Sequence, residues 1–220
     1  MGISVAIDGP AGAGKSTIAK IIGEKFNLMY INTGLMYRAV TLKAMNANIT
    51  ENNVDALVKI VESLEMHFEK EHLFVSNEDL TDMIHMPVIS NNVSKYAAVP
   101  EVREILVKLQ QNIAKKFNVI MDGRDIGTVV LRDATFKFYL TASSEERAKR
   151  RYEELMSKDI EVDYKTILSD IIKRDYIDTH REVSPLKKAD DAIEIDSNDL
   201  NVNEVAQKMI EYINLKINNN

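Results

Sequence analysis

Cysteine is absent from all 220 residues, which excludes disulfides, thiolate metal sites and a thiol nucleophile. Positive charge is in deficit: the formal net charge is −6, so the electrostatic footprint of a general nucleic-acid binder is missing. No apolar run approaches the ~18 residues of a membrane span. The N-terminus lacks the basic segment and long apolar stretch of a signal peptide. The expectation is a cytoplasmic protein with no membrane and no nucleic-acid partner. The four histidines, His67, His72, His85 and His180, show no metal-ligand spacing. There is no internal repeat, no low-complexity segment and no heptad run, which points to a monomer.

What is present begins at residue 9. Gly9, Pro10, Ala11, Gly12, Ala13, Gly14, Lys15 and Ser16 form the pattern G-x-x-x-x-G-K-S, followed by Thr17, directly after the apolar run Ile3–Ile7. Glycines let the backbone wrap a phosphate chain with its N–H groups inward, Lys15 reaches the β- and γ-phosphates, and the Ser16 hydroxyl is placed to ligate Mg²⁺. A helical pattern of Ile18, Ile21, Ile22 and Phe26 follows, so the phosphates would sit on a helix N-terminus.

The periodicity predicts strands over Ile3–Asp8, Leu28–Asn32, Val119–Asp122, Phe136–Leu140 and Ala192–Ile195. Helices are predicted over Ser16–Phe26, Gly34–Met45, Asn53–Leu64, Pro87–Tyr96, Pro100–Phe117, 143–157, Tyr164–Thr179 and Val202–Ile217. Ser143 and Glu146 have the spacing of a capping box. Residues Glu65–Val75 read as a hairpin with a short strand at Asn77–Leu80, which marks about 65–97 as an inserted subdomain. Strands alternating with helices imply an α/β fold: a parallel sheet covered on both faces.

The loop alone admits a small-molecule kinase, a GTPase switch or an ATP-driven motor. The guanine-reading Asn-Lys-x-Asp is absent, and the acidic balance disfavours a motor on nucleic acid. A kinase needs a cationic acceptor site, and candidates are plentiful. Lysine outnumbers arginine 19 to 9, and all nine arginines lie between Arg38 and Arg181. Each is a candidate for bidentate phosphate or carboxylate binding. Arg38 follows the second strand, where open α/β sheets bind ligands. Arg124 and Asp125 end the third. Arg174, Asp178 and Arg181 share one helix face if the helix persists that far. Arg147, Arg150 and Arg151 lie on a basic helix after the fourth.

Segments 9–17, 32–38, 93–104, 121–130, 143–155, 174–186 and 188–197 together resemble the bacterial cytidylate kinase family over essentially the whole length. The resemblance implies a P-loop kinase fold with a five-stranded parallel sheet, an acceptor-binding region at 34–100 containing the 65–97 insert, and a helical lid at 147–163. It implies the reaction of ATP with CMP or dCMP, assisted by Mg²⁺. Lys15 and the loop would hold the donor, and Ser16 the metal, with Asp8 or Asp122 in its outer shell. The lid would close Arg147, Arg150 and Arg151 over the phosphoryl group. The same resemblance sets the acceptor phosphate against Arg38, Arg124 and Arg181, the base near Ser94, Arg103 and Asp125, and the sugar near Arg174 and Asp178. The family usually has Asp where this chain has Asn32, so Asn32 is not among the expected site residues. Kinases for UMP or another small metabolite, and an ATP-binding module without catalysis, are the alternatives.

Overall fold

The computed structural model describes residues 2–69 and 71–218. Short apolar segments buried on both faces make the central strands. Val5, Ala6 and Ile7 of β1 (Ser4–Asp8) and Val119, Ile120 and Met121 of β6 (Val119–Gly123) are wholly inaccessible to solvent. Such runs belong in the middle of a parallel sheet. Around them lie β2 (Met29–Asn32), β7 (Phe136–Thr141) and β8 (Ile193–Asp196), giving the order β2-β6-β1-β7-β8 with every neighbour parallel.

Successive side chains alternate across this sheet. Val5 and Ile7 face α1 (Lys15–Phe26) and α8 (Val202–Asn218), packing with Ile18, Ile22, Met209 and Ile213. Ala6 and Met121 face the other way, against Ile126 and Val130, with Val107 and Ile113 of α5 (Pro100–Ala114) beside them. The crossover from β1 runs toward β2 and that from β6 toward β7. The chain thus diverges at the C-terminal ends of β1 and β6, and a crevice opens there.

Helix α2 (Thr33–Asn46) carries apolar residues around most of its surface and serves two neighbours. Met36 and Val40 pack toward α3 (Val54–Ser63), α4 (Pro87–Ala97) and α5. Leu35, Ala39 and Leu42 pack against a second, antiparallel sheet of β3 (Met66–Glu69), β4 (His72–Val75) and β5 (Glu78–Asp79). The charged helix α6 (Ser144–Met156) and α7 (Tyr164–His180) pack on each other through Ala148, Leu155, Ile167 and Ile171. No described helix is long and apolar enough to cross a membrane.

Three local features depart from the sequence reading. Helix α5 ends at Ala114, short of Phe117. Only half of the capping box forms. Ser143 Oγ accepts the N–H of Glu146 at 3.2 Å, but the N–H of Ser143 goes to Asn198 Oδ1 at 2.9 Å, and Glu146 accepts from Arg150 instead. A single wide helical turn at Ile126–Val130, with i→i+5 bonds from Val130 to Asp125 and from Leu131 to Ile126, follows β6. Its amphipathic signal is too short to read. Its start is capped from a distance, because Asp8 accepts the N–H groups of Ile126 and Gly127 at 2.8 and 2.7 Å.

Gly9 leaves β1 at φ +151, and a Cβ there would lie 2.1 Å from the Leu140 carbonyl oxygen of β7. Gly9→Ala should therefore cost roughly 2–4 kcal/mol in urea denaturation; native stability in this variant would show that the loop can withdraw from β7.

Candidate active site

The crevice at the strand ends holds the phosphate loop on one side. Gly14 caps α1 in the left-handed conformation, φ 88, and offers no side chain, so the first amides of the helix have no partner from the cap. Lys15 is 5% exposed, and its Nζ donates to the Pro10 carbonyl at 2.7 Å. Burial pushes its pKa well below the usual lysine range, helped by the guanidinium groups of Arg124 and Arg174, against the pull of Asp122 and Asp8.

Ser16 donates its hydroxyl to Asp122 Oδ2 at 3.0 Å, and Asn32 Nδ2 donates to Ser16 Oγ at 3.3 Å. Asn32 stands directly opposite Asp122 in the β2–β6 ladder. The Tyr30 hydroxyl donates to Asp122 Oδ1 at 2.8 Å. Burial raises the phenol pKa, as does the Asp122 charge, so Tyr30 stays a donor. Of the two acids considered for the metal's outer shell, Asp122 is the one at Ser16. Asp8 has both oxygens committed to the turn after β6, and burial lifts its pKa to about 6. Ser16 and Asp122 form a hard-oxygen pair that suits Mg²⁺, which keeps several waters and takes few protein ligands.

The opposite wall is cationic. Arg103 and Asp125 pair at 2.5 Å with side chains 2% and 6% exposed. Arg103 also donates to the Ala97 carbonyl and lies over the Tyr37 ring at 5.2 Å. Arg181 is the C-cap of α7, donates Nε to the Ser184 carbonyl, and sits 3.6 Å from Asp125 Oδ1. Helix α7 thus stops just short of Arg181, which turns toward Asp125. Arg124 Nε donates to Asp178 Oδ2 at 2.8 Å, displacing the expected i,i+4 partner Arg174, which stays 4.0 Å away. Arg38 is tied to the Ile84 carbonyl and Ser90 Oγ at 3.0 and 2.7 Å. Ser94 is buried in the same wall.

Two consequences follow from this crowding. Burial, then the charges of Arg174, Arg124 and Arg151, push the pKa of Arg38 down to about 9. Arg174 is pushed down to about 10 by burial and Arg124. Buried nitrogens also go without partners, among them Arg174 Nε and one terminal nitrogen of Arg181. Both facts describe a site suited to an anion.

The basic helix divides its three arginines. Arg147 is buried and donates to the carbonyls of Ala142 and Ala11 and to Asp175. Arg150 and Arg151 lie about 100° apart around the helix. Arg150 turns away to Ser197 and Glu146, outside the crevice. Arg151 pairs with Glu154 on its own helix, is partly exposed and does not line the crevice, although its charge adds to those acting on Arg38 and Arg174. Thr17 is exposed on the first turn of α1 and does not line the crevice. Asn32, Tyr37 and His85 line it without having been expected to, and Tyr30 and Asp175 act from behind it. Alternation along β2, which gives Tyr30 and Asn32 one face, was the available signal for that pair.

A parallel sheet of this order, a glycine loop entering a helix, and a facing cationic wall define a P-loop kinase. A crystal structure of an uncharacterized protein from Eubacterium ventriosum ATCC 27560 matches with TM-score 0.56 at 16% identity, covering 96% of this chain and 98% of that one. Shikimate kinase from Bacteroides thetaiotaomicron matches with TM-score 0.50 at 12% identity, covering 97% and 99%. At such identities the likeness is one of fold.

Sequence goes further. The family model described as cytidylate kinase matches residues 5–215. The cytidylate kinase of Clostridium perfringens (strain SM101 / Type A) is 63% identical over 211 residues, 96% of this chain and 97% of the relative. That of Clostridium acetobutylicum (strain ATCC 824) is 61% identical over 217 residues, 99% and 100%. The chain belongs to the cytidylate kinase family.

An anion should relieve the crowded cations. Pyrophosphate at about a hundred times its Kd should add about 2.7 kcal/mol, or roughly 5–10 °C in Tm for a domain of this size. Arg124→Gln should lose much of that shift. A Tm that moves no more than in chloride of equal ionic strength would rule out the anion site.

Proposed function

We propose that this protein transfers the γ-phosphoryl group of ATP to CMP or dCMP, giving ADP and CDP or dCDP. The observation that carries the reading is the buried Arg103–Asp125 pair, set at the foot of a cationic crevice facing the phosphate loop. Asp125 Oδ1 has no partner closer than Arg181 at 3.6 Å and is open to a donor. Cytosine presents such a donor at N4, whereas uracil presents an acceptor and would oppose lone pairs.

The attacking atom is an oxygen of the acceptor phosphate. A phosphate monoester has its second pKa near 6, so the nucleophile is already ionised at neutral pH and needs no general base. What remains is alignment and neutralisation of charge. Lys15 and the loop amides hold the donor phosphates. Arg38, Arg124 and Arg181 take the acceptor phosphate, with Arg174 adding charge beside them and Asp178 facing the sugar. Ser94 and Arg103 flank the base. Ser16, with Asp122 behind it, would hold Mg²⁺, whose charge would offset that of the donor phosphates. Arg147, which already bonds the phosphate loop at Ala11, is the lid arginine nearest the donor phosphates; Arg151 reaches them only by leaving Glu154 on lid closure, and Arg150 anchors the lid helix to Ser197. Residues 34–100, with the insert at 65–97, form the acceptor-binding region, and 147–163 the lid. The enzyme works as a cytoplasmic monomer.

ADP formation with Mg²⁺·ATP should be strong with CMP and dCMP, weak with UMP, and near zero with AMP, GMP, shikimate or no acceptor. A flat panel, or equal turnover without acceptor, would overturn the reading. Lys15→Met should lower kcat by roughly 10²–10³-fold. Asp125→Asn, whose amide offers both donor and acceptor, should cut the CMP-over-UMP ratio of kcat/KM by about tenfold or more; an unchanged ratio would remove Asp125 from base recognition.

A further inference from the structure

Four side chains where β2, β6 and the start of α1 meet form one connected set: Tyr30, Asn32, Asp122 and Ser16. The direction of each bond is fixed by what each group can give. A phenol hydroxyl facing a carboxylate oxygen can only donate to it, so Tyr30 fills Asp122 Oδ1. The free carboxylate oxygen, Oδ2, then takes the single proton of the Ser16 hydroxyl. Asn32 Nδ2 donates into one of the two lone pairs of that same hydroxyl oxygen. One lone pair of Ser16 remains, and Ser16 lines the crevice.

The anchor of this set lies outside the crevice. Tyr30 does not line it. Its ring packs against the core cluster beneath α1, and its Cβ lies 3.8 Å from the position a Cβ on Gly23 would take. The helix that carries Ser16 and the strand that carries Asn32 are therefore referenced to each other through a residue that touches no ligand. Asn32 contributes as an amide: an acid in its place would have no hydrogen to give Ser16 and would face Asp122 across the ladder as a second negative charge.

We infer that Tyr30, with Asn32, is a positioning residue for the donor side: through Asp122 it turns the Ser16 hydroxyl so that its last lone pair is presented to a divalent cation on the bound nucleotide. The inference rests on the kinase reading above. Nothing in the set depends on the acceptor, so the effect belongs to the metal alone.

The test is the affinity of ADP with and without Mg²⁺, measured by titration calorimetry on native protein and Tyr30→Phe, with CMP affinity as control. The quantity read is the ratio of the two ADP affinities, which a general structural loss would not move. In Tyr30→Phe this ratio should fall about tenfold, while metal-free ADP and CMP bind within about twofold of native. The Mg²⁺ concentration for half-maximal rate should rise with the KM for CMP unmoved. An unchanged ratio overturns the inference, as does an equal fall in all three affinities. Should Tyr30→Phe not fold, Asn32→Ala removes the other donor to the network from a side chain that lines the crevice, and the same ratio decides. Native protein that binds no ADP would instead overturn the kinase reading itself.

Discussion

Like charges held close together in one crevice govern this structure. Six cationic side chains, Lys15, Arg38, Arg103, Arg124, Arg174 and Arg181, line it against three carboxylates, Asp122, Asp125 and Asp178. Such an arrangement repels itself, and it persists because the acids pair with some of the cations while neutral oxygens hold others. Arg38 is held by the turn at Ile84 and by Ser90, Arg103 by the end of α4, and Arg181 by the loop at Ser184. Two sheets, the packed α2 between them and the α6–α7 pair supply those anchors. Much of the fold outside the central sheet is explained as the frame that keeps these cations aimed at one volume.

The central sheet has a different task. Its strand ends bring Asp8, Asn32 and Asp122 to one edge at adjacent register positions, Asn32 opposite Asp122 and Asp8 opposite Gly123. Each polar group there has a separate occupation. Asp8 organises backbone, Asp122 organises a hydroxyl, and Asn32 organises the same hydroxyl from the other side. Rigid, fully buried strands allow such division, since small displacements along the ladder would break it.

The phosphate loop was legible because its chemistry is local: spacing, glycines, lysine and hydroxyl lie within eight residues. The five strands were legible from apolar runs, and the hairpin from alternation. Partner choice among charges was not. Arg124 takes Asp178 from a different element, and the nominal helical partner Arg174 is left out, because Arg124 lies nearer through the fold than Arg174 does along its helix. Arg150 and Arg151 are adjacent in sequence yet take different partners, Arg150 reaching Ser197 just after β8 and Arg151 staying with Glu154 on its own helix, a separation visible only once the helix is docked. Tyr30 reads in sequence as one more buried strand residue; only the position of Asp122 on a strand formed ninety residues later gives its hydroxyl a purpose. The wide turn after β6 escaped because its cap, Asp8, comes from the far end of the chain.

Arg147 ties the phosphate loop to α7. One guanidinium is shared among the end of β7, the Ala11 carbonyl of the phosphate loop, and Asp175, which lies next to Arg174 on α7. A ligand that draws this guanidinium toward the donor phosphates must alter its bond to α7, and a ligand that shifts α7 must alter its hold on the loop. A nucleotide on the donor side and one on the acceptor side would therefore share this one joint. Whatever factor one applies to the affinity of the other is returned in equal measure, so order of arrival affects the path taken and leaves the final ternary balance the same.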